Sequence, residues 1–216
     1  MNLLFSSVGK KLQVAISGIL LVVFLLFHLF NNLVLFAGEE SFNNMVGFLE
    51  SIKPIIRIME FGLLSILLMH TVNAIRLTFA NKALRHTPYN QTSSDSSSLN
   101  SRTMAISGTI ILIFLFIHLG FVWLTYQTTE SHNYYQILLQ NKIGFLGHFP
   151  TSIFYIISIM AIGMHLRHGF QSALKTFGVL SKSKWGLLYN IGALFWGVIP
   201  ILFILIIISI QIGWIS

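Results

Sequence analysis

Residues 15–28 read AISGILLVVFLLFH, and residues 105–118 read AISGTIILIFLFIH. The match keeps one offset of 90 residues, from Ala15/Ala105 through Ser17/Ser107 and Gly18/Gly108 to His28/His118. Each copy is an apolar run with one imidazole deep inside it. An ionisable side chain in such a run is costly, and is by default a functional-site hypothesis. Two copies with two imidazoles suit a ligand that takes one nitrogen from each side. Haem iron is the first candidate.

Two further helical runs carry a histidine at similar depth, His70 and His165. The elements that hold all four follow from composition. The chain has 216 residues, 55% hydrophobic and only 9% charged, where soluble domains are about a quarter charged. The expected fold is an all-α integral membrane bundle forming a single domain over residues 1–216. A span needs about 20 apolar residues, and five stretches qualify, at about 12–36, 55–80, 103–126, 151–176 and 187–213. The first follows a signal-like start but exceeds a signal core of about 7–15 residues, so it reads as a retained span. Pro200 falls inside the fifth, where a kink is expected rather than a stop. The connections 37–54 and 127–150 are polar, 86–101 is a serine-rich linker, and 177–186 is short and basic. Pro54 suits the first turn of the second span.

With the N-terminus inside, Lys10, Lys11, Arg76, Lys82, Arg85, Arg102, Arg167, Lys175, Lys182 and Lys184 lie on the inner side. Only Lys53, Arg57 and Lys142 lie outside. This asymmetry predicts an inside N-terminus and an outside C-terminus, and it accounts for the net charge of +7 without nucleic acid. Trp123, Trp185 and Trp214 fall near span ends, as interfacial anchors do. With no cysteine, this chain supplies no disulfide, no thiolate zinc site, no iron–sulfur ligand and no c-type haem attachment.

Helical rise converts position into depth. His28 and His118 lie roughly 23 Å from the inner face. His70 and His165, on helices that run the other way, lie about 8 Å from it. Depth therefore pairs His28 with His118 and His70 with His165, roughly 15 Å apart along the membrane normal. Each pair would clamp one haem, the first the outer and the second the inner. Taken singly, each histidine is as well explained by a hydrogen bond between helices or by a proton relay. Four of them, one per helix and matched by level, favour the clamps.

Gly18 and Gly108 lie at the level of the other pair, where close helix approach serves either a macrocycle or ordinary packing. In the fourth span His165 is deeper than His168 and is the expected ligand. His168 and Arg167 then stand near the inner surface, as propionate partners or snorkelling side chains. Glu60 has Arg57 one turn before it, so it reads as a structural ion pair or as a proton acceptor at a quinone pocket near the outer haem. Asn31, Asn32, Arg76, Lys10 and Arg102 stand at levels where haem edges or lipid headgroups are in reach.

In its ordered set of motifs the chain resembles the cytochrome b subunit, the membrane anchor, of succinate dehydrogenase/fumarate reductase, in the five-helix dihaem single-anchor class. The matching residues are SSVGKK (6–11), ISG-x9-H with Ser17, Gly18 and His28, and His70 in the second span. ISG-x9-H recurs with Ser107, Gly108 and His118, and HLRHGFQS (165–172) leads to the Phe177-Gly178 turn. The family pattern H-x3-G-x8-[WF]-G falls on His165, Gly169, Phe177 and Gly178, which favours His165 over His168. The resemblance implies two haem b groups with His28, His118, His70 and His165 as axial ligands. It also implies docking of an FAD flavoprotein and an iron–sulfur subunit on the cytoplasmic face of a bacterial membrane. Electrons would pass between succinate/fumarate and a membrane quinone, with menaquinone the expected species. Some members carry a glutamate two residues before the fourth ligand, associated with transmembrane proton movement. That position is Gly163 in this chain, so the resemblance does not extend to that function.

Two other readings fit the same residues. A dihaem cytochrome b can serve another quinone-linked dehydrogenase, of the hydrogenase or formate dehydrogenase type. A haem-free transporter can use histidines as a proton relay.

Overall fold

The computed structural model describes residues 6–83, 96–179 and 185–216. Arg85, Asp95, Lys182, Lys184 and positions 86–95 of the serine-rich linker lie outside the described residues, as do the side chains of Lys82, Arg102 and Trp185.

All regular structure among the described residues is helical. Helix α1 spans Ser7–Leu33, α2 Glu39–Ser51, α3 Lys53–Ala83, α4 Ser96–His118 and α5 Leu124–Thr128. Helix α6 spans Tyr134–Leu138, α7 Phe149–Thr176, α8 Trp185–Ala193 and α9 Ile199–Gln211. A π turn, Leu119–Trp123, joins α4 to α5, and another, Leu194–Val198, joins α8 to α9. Joined through these turns, five helices are long and apolar enough to cross a membrane: Ser7–Ala37, Lys53–Ala80, Thr103–Thr128, Phe149–Thr176 and Gly186–Gln211. The protein is thus a multi-pass helical bundle, and every expected span has its helix.

Local sequence explains the helix ends. Ser6 caps α1 by accepting the Gly9 amide at 3.0 Å, which satisfies one orphan donor of the first turn. Pro54 stands in the first turn of α3, where a missing N–H costs nothing. Two connections hold more structure than polarity alone predicts. The stretch 37–54 folds into α2, and 127–150 contains α6. The last part of the expected linker, 96–101, is already helical as the start of α4.

These two connections meet as a cap on one end of the bundle, the end expected to face outward. Asn43 donates to the Asn133 side chain at 3.1 Å and accepts the Tyr135 amide at 3.0 Å. Glu39 accepts from Asn133 at 2.7 Å and from Gln136 at 2.9 Å. Phe42, Tyr134, Tyr135 and Leu138 are buried beneath this network. Burial and a hydrogen bond to Glu50 push the Tyr134 phenol up to about 12. Its contribution to the cap is therefore complete below the usual phenol range and lost only as pH rises through that value.

In the bundle α3 packs along α1, α4 along α7, and α7 also along α1. Helix α9 covers α7 and α1. Round the bundle the order is α1, α3, α4, α7, so α1 stands diagonally opposite α4, and α3 opposite α7. Among the described residues, the α3–α4 side has no comparable helix packing.

Gly163 lets the fifth span approach α7. A Cβ there would lie 3.1 Å from the Trp196 carbonyl oxygen and 3.3 Å from Pro200 Cγ. Pro200 has no N–H to offer the carbonyl four residues earlier, which is that of Trp196. The span passes through a π turn at this point and continues, as expected of a proline in a membrane helix. Gly163→Val should therefore cost about 1–3 kcal/mol by overpacking. Gly47→Ala, on exposed α2 with open space around it, should gain a few tenths to about 1 kcal/mol. Thermal unfolding in detergent checks both, and equal midpoints for the two variants would contradict this packing.

Candidate functional site

The four histidines stand on α1, α3, α4 and α7, His118 as the last residue of α4 before the π turn, and the fold brings them together two by two. The ring centres of His28 and His118 are 5.8 Å apart with planes at 79°. Those of His70 and His165 are 6.3 Å apart at 65°. Each pair joins diagonally opposite helices.

The sequence repeat is a structural repeat as well. Helices α1 and α3 form one hairpin, α4 and α7 a second, and corresponding residues do corresponding things. Phe24 stacks on His28 at 5.5 Å, and Phe114 on His118 at 5.4 Å. Ser17 Oγ lies 3.1 Å from His70 Nδ1, and Ser107 Oγ lies 3.2 Å from His165 Nδ1. A Cβ on Gly18 would lie 3.4 Å from His70, and one on Gly108 3.6 Å from His165. These glycines therefore lie against the imidazole of the partner helix, where a methyl group would sit in ordinary van der Waals contact. One turn further on, Asn73 donates to Gln13 at 2.7 Å, and Thr103 and His168 meet at 3.4 Å in the matching place. Ser17, Ser107, Phe24 and Phe114 were legible only as repeated letters. Nothing local showed that the serines address another helix.

The first pair has other neighbours. His118 Nδ1 is 3.3 Å from the Tyr155 hydroxyl, and Tyr155 is buried. On α1, Asn32 donates to the His28 carbonyl at 2.7 Å and its amide nitrogen lies 3.5 Å from His28 Nε2. Phe203 of α9 closes on His28 at 5.7 Å. Tyr155 had no sequence signal, being one aromatic residue among many.

Aligning α3 with α7 on His70 and His165 sets Glu60 in register with Tyr155, so Glu60 stands at the level of the first pair. Arg57 bonds both Glu60 and Gln127, and the Trp123 indole donates to Glu60 at 2.9 Å. Arg57 also lies over the Trp123 ring, 5.8 Å from its centre. This cluster bridges the α3–α4 side at one end and joins α3 to the π turn that follows His118. At the other end, Arg167 lies over Trp196 of the fifth span at 5.2 Å. Asn31 and Arg76 are exposed, and Lys10 is half-buried.

These arrangements decide what the pairs could hold. Among the described residues, no three His, Asp or Glu side chains converge, so a bare ion lacks a full protein ligand set. A haem iron needs only two axial ligands from protein. A metal between two imidazole nitrogens, at bonds of about 2 Å, sets the ring centres roughly 6 Å apart. Both pairs meet that spacing, the first among Phe24, Phe114, Tyr155 and Phe203 and the second beside Ser17, Gly18, Ser107 and Gly108. The residues present fit the group.

No curated protein and no solved structure matches the chain. One family model does match, over residues 13–92, the segment that carries Ser17, Gly18, His28, Glu60 and His70. It is that of the succinate dehydrogenase/fumarate reductase transmembrane subunit family, to which this part of the chain is similar.

Proposed function

We propose that this chain is the dihaem b membrane anchor of a succinate:quinone oxidoreductase, linking a cytoplasmic flavoprotein and iron–sulfur dehydrogenase to membrane quinone. The observation that carries the reading is the pair of crossed imidazole contacts, each at two-ligand spacing, in a chain whose first hairpin matches the anchor family. His28 and His118 would hold the outer haem, and His70 and His165 the inner one. Iron so held supplies a reversible one-electron carrier. The basic end of the bundle is the face proposed for docking, with the N-terminus inside a bacterial membrane.

The hairpins do the holding. Each contributes its first helix to one clamp and its second helix to the other, so neither clamp is complete within one hairpin. Phe24 and Phe114 lie flat against their histidines and limit rotation of the rings. The quinone, with menaquinone the proposed species, would enter from the lipid on the α3–α4 side, where helix packing is sparse. Glu60, at the level of the outer pair, is the proposed proton acceptor for quinol oxidation. Trp123 and Arg57 fix its carboxylate toward that side.

The test begins with a reduced-minus-oxidised spectrum and haem count of the purified complex. Two b-type haems are expected, together with copurifying flavoprotein and iron–sulfur subunits. A chain without a b-type α-band would overturn the reading. His28→Ala and His118→Ala should each remove one and the same spectral component, and His70→Ala and His165→Ala the other. Loss of a shared component in His28→Ala and His70→Ala would break the pairing.

Glu60→Gln should leave both haems in place and slow quinone turnover by about 10²-fold. Unchanged turnover would reduce Glu60 to an ion-pair partner of Arg57.

A further inference from the structure

The hydroxyls that meet His70 and His165 have a chemistry of their own. A serine has one proton to give and lone pairs to receive with. Ser17 lies 2.6 Å from the Gln13 carbonyl and 3.2 Å from that of Val14, both one turn back in its own helix. Ser107 lies 3.2 Å from the Met104 carbonyl in the same sense. With its proton committed to its own helix, each hydroxyl faces the imidazole as an acceptor. The ring nitrogen beside it must then carry the hydrogen, so Nδ1–H donates to Oγ. That choice fixes the tautomer and leaves the lone pair on Nε2.

We propose that Ser17 and Ser107 are positioning residues for the inner pair. Each serine accepts Nδ1–H across the hairpin, which sets the ring angle of His70 or His165 and presents Nε2 as the ligating nitrogen. The proposal rests on the dihaem reading above. A hydrogen bond from Nδ1–H raises the basicity of Nε2, and a more basic axial ligand favours oxidised iron. The serines therefore hold the inner haem at a lower potential than bare imidazoles would.

The two sites match: Ser17 Oγ lies 3.1 Å from His70 Nδ1 and Ser107 Oγ 3.2 Å from His165 Nδ1, so loss of either hydroxyl should act on the same pair.

The experiment is a redox titration of the purified complex, followed by haem spectrum and stoichiometry, on Ser17→Ala, Ser107→Ala and the threonine variants of both. The component affected should be the one that His70→Ala removes. In Ser107→Ala its midpoint should rise, so that its reduced-to-oxidised ratio at a fixed poise increases about fivefold, as for one ordinary hydrogen bond. Ser17→Ala should move it in the same direction. Threonine, which keeps the hydroxyl, should restore the wild-type midpoint, and the other component should not move. If alanine abolishes the inner haem outright, its return with threonine supports the proposal and its absence with threonine overturns it. Unchanged midpoints, or equal shifts of both components, overturn the proposal while leaving two haems in the wild type and the functional reading intact. A wild type without haem overturns both.

Discussion

An imidazole inside an apolar bundle has two polar nitrogens, and both need an assigned partner. Water is not available to supply either one at that depth. Three of the four histidines meet a hydroxyl at Nδ1: Ser17 for His70, Ser107 for His165 and Tyr155 for His118. His28 instead lies between Phe24 and Phe203, with Asn32 beside it. Each hydroxyl reaches its imidazole across a helix contact, so the helices cannot rotate independently without stranding a buried polar group. Helix register in the bundle is set by this constraint, since apolar side chains against lipid or against each other discriminate weakly between rotations.

The glycines beside the serines lie against the same rings. A hydroxyl is short, so α1 must approach α3, and α4 must approach α7, within reach of a hydrogen bond. Gly18 and Gly108 present no side chain at the place where the partner's ring arrives. In the repeated AISG the serine therefore orients the partner's ring, and the adjacent glycine lies in contact with it. Used twice, this motif yields two equivalent hairpins whose second helices carry the oriented rings.

The two hairpins are not equivalently surrounded. The fifth span lies over α7 and α1, admitted by Gly163, while among the described residues the α3–α4 side is bridged at one end by Arg57, Glu60, Trp123 and Gln127. An internally repeated core has thereby acquired one closed flank and one sparse flank. Tyr155 and Glu60 stand in register on the two hairpins, and the difference follows from their surroundings. Tyr155 is buried beneath the cap, with a hydroxyl to satisfy His118. Glu60 faces the flank where a charge keeps polar partners.

By itself the sequence determined the spans, because apolar length is a one-dimensional property, and it determined the levels of the four histidines, because helical rise is fixed. It also carried the duplication, since both copies kept Ser, Gly, Phe and His at one offset. The caps α2 and α6 were not legible, because their polar stretches become helical only by bonding to each other through Asn43, Asn133 and Glu39. Only the tertiary structure decided which hydroxyl addresses which imidazole. Ser17 and His70 are 53 residues apart in the chain, and no local pattern specifies a contact between the faces of two helices. It likewise decided that Arg57 and Glu60 join a cluster with Trp123 and Gln127 rather than standing as a lone ion pair. The physical reason is the same in both cases. Helix formation is local, whereas the partner of a buried polar atom is chosen by packing.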